Sequence, residues 1–188
     1  MVYGFRTSTA RDVFDSFPTA YADMKAVPTE QPSLTFCRSL IASRIPEEAI
    51  TFCAYLLPAR VAVWWGHECL VNLADRLDNQ DLRMLELVHG WVSDPSEYRR
   101  FVVLDEATIA EPRTPGVWIA LAAGWTTGAA PGGTALANGH PSSRTARAVS
   151  TGILTALARV ALADRAPVLA DFVAMGMQLA EFEASRFA

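Results

Sequence analysis

Leu34–Arg44 reads LTFCRSLIASR, and sixteen residues on, Ile50–Arg60 reads ITFCAYLLPAR. Thr-Phe-Cys recurs, with a leucine three residues after each cysteine (Leu40, Leu56) and an arginine at each end (Arg44, Arg60). In the first stretch Leu34, Cys37, Leu40 and Ile41 fall on one helical face, and in the second Ile50, Cys53, Leu56 and Leu57 do the same. The spacing therefore predicts two successive helices built on one pattern. Pro46-Glu47-Glu48 starts the second with proline and carboxylates at the positive end of the dipole, and Pro58 stops it.

The same period extends both ways. A short helix is predicted at Ala10–Phe17, capped by Thr9, within an otherwise irregular segment 1–30. After Pro58, a helix is predicted over Ala59–Leu77, with Val61, Trp65, Cys69, Leu73 and Leu77 in one stripe. Asp78-Asn79-Gln80 reads as a turn before a helix over Asp81–Trp91. Asp94, Pro95 and Glu97 read as cap, first position and capping-box partner of a helix reaching Ala110, with Tyr98, Phe101, Val102, Leu104 and Ile109 inward. Pro115–Thr126 is apolar nearly all round, which predicts a central, buried helix. Thr127–Pro141, TGAAPGGTALANGHP, reads as the one long Gly/Pro loop. Ser142 and Ser143 can cap a helix over Arg144–Leu162, and Pro167 restarts a last one over Ala166–Ser185. No alternating run with hairpin turn signals competes. The expectation is an all-α fold: a compact antiparallel bundle of about eight helices, with 31–188 as a single helical domain.

Composition narrows the functional classes. The chain has 188 residues, 51% of them hydrophobic, and a net charge of −4. No Lys/Arg block provides a phosphate-neutralising stripe, so a nucleic-acid partner is not expected. Val117–Trp125 is the longest apolar run, far short of the ~20 residues of a membrane span. MVYGFRTSTARDVF lacks the apolar core of a secretory signal, and three cysteines make no disulfide framework. Reduced thiols and a cytoplasmic location follow.

The chemical motifs are weak. His67 and Cys69 stand two apart, about 200° around a helix, too divergent to chelate one ion together. The second histidine of HExxH would be at Val71. Glu86 and His89 make a single E-x-x-H pair, where a di-iron bundle needs two. No signature surrounds the thiols that would pair them with His67, His89 or His140 as a nucleophile, and Gly124, Gly128, Gly132 and Gly133 follow no phosphate-loop spacing. No cofactor and no metal are expected.

Trp64 and Trp65 project about 100° apart on a helix. Two readings stay open: a core and interhelical anchor, or a partner surface shared with Arg60. The arginines Arg99 and Arg100 read as a solvated face, as pairs of Glu97, Asp105 or Glu106, or as partner contacts. Glu68 is a candidate pair of an arginine on a neighbouring helix. The candidate partner surface is accordingly Arg60, Trp64, His67, Glu68, Arg99 and Arg100.

LLPARVAVWWGHECL, WVSDPSEYRR and TPGVWIALAAGW, followed by RTARAV, occur in that order. Together they resemble an uncharacterised bacterial all-helical family, marked by LPxRxAVWW, WxxDPxExRR and TPxxWxAxAxxW, over roughly residues 30–165. Members of such families are found near type VI secretion genes. The resemblance implies no catalytic residues. It implies an accessory or chaperone-like adaptor whose partner is another protein: a secretion cargo, a spike component or a toxin. The leading expectation is a non-enzymatic interaction module. An immunity-type inhibitor, or a small bundle enzyme, is the alternative, and a homo-oligomer is compatible with either.

Overall fold

Helix starts in this chain are set by short polar side chains and prolines, and the computed structural model, which describes residues 9–126 and 143–186, shows where each rule wins. Among the described residues ten α-helices form: α1 (Ala10–Ser16), α2 (Ala20–Asp23), α3 (Ser33–Ile41), α4 (Glu48–Leu56), α5 (Ala59–Val71), α6 (Asn79–Ser93), α7 (Glu97–Ile109), α8 (Pro115–Gly124), α9 (Ser143–Leu157) and α10 (Leu162–Arg186). A 3₁₀ turn, Ala74–Arg76, precedes α6. No strand occurs among the described residues. The all-α class is as predicted, with two more helices than the rough count of eight. The predicted loop 127–141 and the Ser142 cap lie outside the described residues.

Thr9 caps α1 through a capping box with Asp12, as its position predicts. The N-terminal segment is less irregular than expected, because α2 follows α1 directly. Phe14 is fully buried and meets Phe36 and Phe52, so α1 shares the core of the helices after it. Pro46 and Glu47 occupy a turn ahead of α4. Glu48, at the start of that helix, buries its carboxylate to accept the Lys25 and Ala26 amides at 2.6 and 3.1 Å.

Four boundaries move for identifiable reasons. The α5 helix stops at Val71 rather than Leu77, where the Asn72 side-chain amide takes the Glu68 carbonyl at 2.8 Å. The α6 helix begins at Asn79, because Asp78 and Asp81 form a capping box. It then runs to Ser93 with Asp94 as its C-cap, so the N-cap of α7 is not Asp94 but Ser96, whose hydroxyl accepts the Arg99 amide. Finally, α9 ends at Leu157, and α10 starts at Leu162 with Pro167 inside it. Arg165 ties that junction by donating to the Ala158 and Val160 carbonyls, both at 3.1 Å.

The repeated Thr-Phe-Cys pairs with itself. Phe36 of α3 meets Phe52 of α4 edge to face, 5.0 Å between ring centres, and the Cys37 and Cys53 sulfurs lie 3.2 Å apart. The echo is thus a packing solution between adjacent helices. Every residue of α4 is buried, and all of α8 except Trp118 is buried, so these two helices form the interior. The α9 helix packs on both, and α5, α6 and α7 also flank α8. Ile119 of α8 fits between Gly66 of α5 and Gly152 of α9. A Cβ at either glycine would stand 2.7 Å from its Cδ1.

One buried carboxylate joins three helix ends. Asp81, fully buried, accepts the Gly116 amide at the start of α8 (2.7 Å) and the Arg159 guanidinium just past α9 (2.8 Å). Thr114 makes no side-chain cap of α8, so Asp81 caps that helix from outside. The approach is close: a Cβ on Gly116 would stand 2.7 Å from the Asp81 backbone. Removing one partner of such a pair strands the other. Asp81→Ala is therefore expected to cost about 3–5 kcal/mol in urea unfolding. Asp81→Asn, which keeps an acceptor for the Gly116 amide, should cost less.

Candidate functional site

The α5 register places Arg60, Trp64 and His67 on one face, at i, i+4 and i+7. That face meets the C-terminal half of α6. The Arg60 guanidinium donates to the Val92 carbonyl near the end of α6, which neutralises a helix terminus. Trp64 is half-buried and stacks on the buried His67 ring, with centroids 5.2 Å apart and planes at 11°. His89 of α6 closes the group, 6.1 Å from Trp64 and 5.5 Å from His67. Glu68 pairs with His67 Nδ1 at 2.9 Å, not with a neighbouring arginine. The structure therefore unites Arg60, Trp64, His67 and Glu68 and adds His89. Arg60, Trp64 and His67 contact α6 there, whereas Glu68 pairs within its own helix. Trp65, on the adjacent face, is fully buried and donates its indole N–H to the Phe172 carbonyl of α10 at 2.9 Å.

Arg99 and Arg100 do not join that group. Arg100 turns inward from α7, donating to the Gly124 carbonyl at the end of α8 and pairing with Glu97 at 2.8 Å. That hydrogen bond, with the guanidinium charge, holds the Glu97 carboxyl below its ordinary range. Arg99 reaches Asp94 at 3.3 Å in an exposed pair of small energetic weight. Of the six predicted contacts, Arg60, His67 and Arg100 are engaged inside the fold.

The thiols are sealed. Cys37, Cys53 and Cys69 have no exposed surface. Hydrogen bonding with Cys37 and burial push the Cys53 thiol well above its ordinary value, and burial followed by the Glu68 charge does so for Cys69. Neither supplies a thiolate near neutral pH. Among the described residues, no three His, Cys, Asp or Glu side chains are grouped to hold a metal ion.

A second polar node ties α2, α4 and α9. Asp23 accepts two hydrogen bonds from Arg147, both 2.7 Å, and one from the Tyr55 hydroxyl at 2.5 Å. Burial acts to raise the Asp23 carboxyl, but the Arg147 and Tyr55 hydrogen bonds outweigh it and the net displacement is downward. Burial, then the bond to Asp23, pushes the Tyr55 phenol up to about 12.

The surface that sequence reasoning missed is on α7. Tyr98, Phe101 and Ile109, predicted to face inward, are 79%, 56% and 73% exposed. Val103 and Ala107 face the core instead. Helical spacing puts Tyr98, Phe101, Val102 and Ile109 within about 100° of arc, an apolar stripe covered by no other helix among the described residues. The signal was present: Asp105 lies in the middle of the stripe first assigned to the core, whereas the Val103–Ala107 line carries no acid.

The model of a family of unknown function, DUF6931, matches residues 36–180. The chain belongs to this family. The match includes α4 to α9 and most of α3 and α10, so the α5–α6 cluster and the α7 stripe both lie within the family region. No curated protein and no solved structure matches the chain. No helix among the described residues is long and apolar enough to cross a membrane.

Two measurements check this assignment. Trp65→Ala should lower unfolding stability by about 3–5 kcal/mol, whereas Trp64→Ala should cost only about 0.5–1.5 kcal/mol of ring stacking beyond its partial burial. The polar node should appear in the pH dependence of stability. The depressed Asp23 carboxyl contributes stability above its unfolded value near ~3.9, which is lost as pH falls through the folded value, so Asp23→Asn flattens the acid limb. The raised Tyr55 phenol contributes below its unfolded value near ~10 and loses this as pH rises through about 12, so Tyr55→Phe flattens the alkaline limb.

Proposed function

We propose that this DUF6931 member is a non-enzymatic, cytoplasmic protein-interaction module, and that α7 is its docking face. The observation that carries this reading is the exposed Tyr98, Phe101 and Ile109 on a helix whose other side is anchored. Large aromatic side chains gain little in water and much when covered, and tyrosine is over-represented among residues that dominate binding energy. Support also comes from the reactive groups: all three thiols are buried, those of Cys53 and Cys69 are raised, and the His67 imidazole is stacked and paired. The motif order adds an accessory or chaperone-like adaptor role beside a type VI secretion system, with a cargo or spike component as partner. An inhibitor of a basic toxin is the second reading, favoured by the net charge of −4.

A photo-crosslinking residue placed at Tyr98 or at Phe101 in the full chain tests the proposal in cells. Adducts of higher mass are expected at 101, and none at the still more open control position Leu162 on α10. Mass spectrometry of the adduct separates the readings: a secretion component supports the adaptor, and a toxin supports the inhibitor. Absence of any adduct at both 98 and 101 would remove the docking face.

A further inference from the structure

We infer that the α7 stripe is self-complementary and takes the α7 stripe of a second copy, packed antiparallel about Val102. This rests on reading α7 as a docking face and names what covers it when no other partner is docked. Three features of the helix support it. First, Phe101 and Val102 lie side by side on the stripe, so a two-fold axis there brings like apolar groups together. Second, the charges flanking the middle are polarised. Arg99 precedes Val102 by three residues, and Asp105 and Glu106 follow it by three and four. Antiparallel pairing sets Arg99 of each copy opposite Asp105 of the other, twice by symmetry. A parallel arrangement would instead oppose like charges. Third, the Arg99 and Asp105 charges are weakly engaged within one copy. Among the described residues Asp105 has no ion-pair partner, and the Arg99–Asp94 contact is loose at 3.3 Å, with both side chains well exposed. Glu106 holds Arg83 of α6 and braces the helix from the side.

The contact is limited in size. A 13-residue helix is about 20 Å long, so pairing of α7 alone buries less than the ~1,200 Å² of a stable interface. A reversible dimer with a dissociation constant in the micromolar range or weaker is therefore expected, concentration-dependent and weakened by salt.

Sedimentation equilibrium of the full chain from ~1 to ~500 µM tests this, with circular dichroism to verify folding of each variant. The wild type should dimerise. Phe101→Asp should weaken the dimer at least about tenfold. Asp105→Arg places like charges across the axis and should weaken it by a similar factor, and Arg99→Asp should do the same. Combining Arg99→Asp with Asp105→Arg reverses both signs and should restore affinity to within about threefold of wild type. That rescue is a readout which loss of packing alone cannot produce. A monomer throughout the range, or a dimer indifferent to these variants, would overturn the proposal. So would a monomer whose residue 101 crosslinks only to a foreign protein, although that result would leave α7 standing as a docking face. A monomer with no adduct at 98 or 101 would remove both.

Discussion

The Asp81 carboxylate is where the bundle is held in register. It sits in the first turn of α6, closes the Asp78 capping box, accepts the first free amide of α8 and receives Arg159 from beyond α9. Arg159 also donates to the Arg76 carbonyl at 3.0 Å, which draws in the turn before α6. A buried charge is tolerated only when it is paired and its lone pairs are filled, and here both conditions are met by groups from different helices. The orphan amides of one helix start are thereby satisfied by the side chain of another. Gly116 is required at the contact because any Cβ would strike the Asp81 backbone.

The remaining architecture follows from that anchor. With its start pinned, α8 runs through the interior, and Ile119 packs between the two glycines of α5 and α9. The α7 helix then lies outside α6 and α8 and reaches inward with Val103, Ala107, Leu104 and Arg100. Arg100 grips the end of α8, and Arg83 grips Glu106. A helix held from one side by small residues and polar ties leaves its other side uncovered, so Tyr98, Phe101 and Ile109 meet water. The stripe proposed to bind a partner is a consequence of how the interior is tied.

Much of this was legible in the sequence. The apolar period alone predicts the all-α class, the burial of α8 and the joint packing of α3 and α4, because each signal is local. The paired Phe36–Phe52 and Cys37–Cys53 contacts realise the repeated Thr-Phe-Cys directly. Trp65 proved to be core, while Trp64 joins His67 and His89 in a contact between helices. What was not legible depends on partners far apart in the chain. Asp81 reads locally as a first-turn acid, and its bonds to Gly116 and Arg159 have no local trace. On α7 two stripes compete, and side-chain bulk alone favours the one that stays outside. The depth available beside α8, where Gly124 already lies against Leu104, decides for the smaller residues.

The central claim is that the interior is locked at Asp81 while α7 is only laid against it. Native-state amide hydrogen exchange followed residue by residue tests this most directly. The account predicts that the Gly116 amide and those of Ile119–Ala123 exchange only through global unfolding, at the same free energy as α4. The amides of α7 should exchange through a smaller, separate opening in dilute solution. Exchange of Gly116 as fast as α7, or α7 protected to the global limit in the monomer, would contradict it.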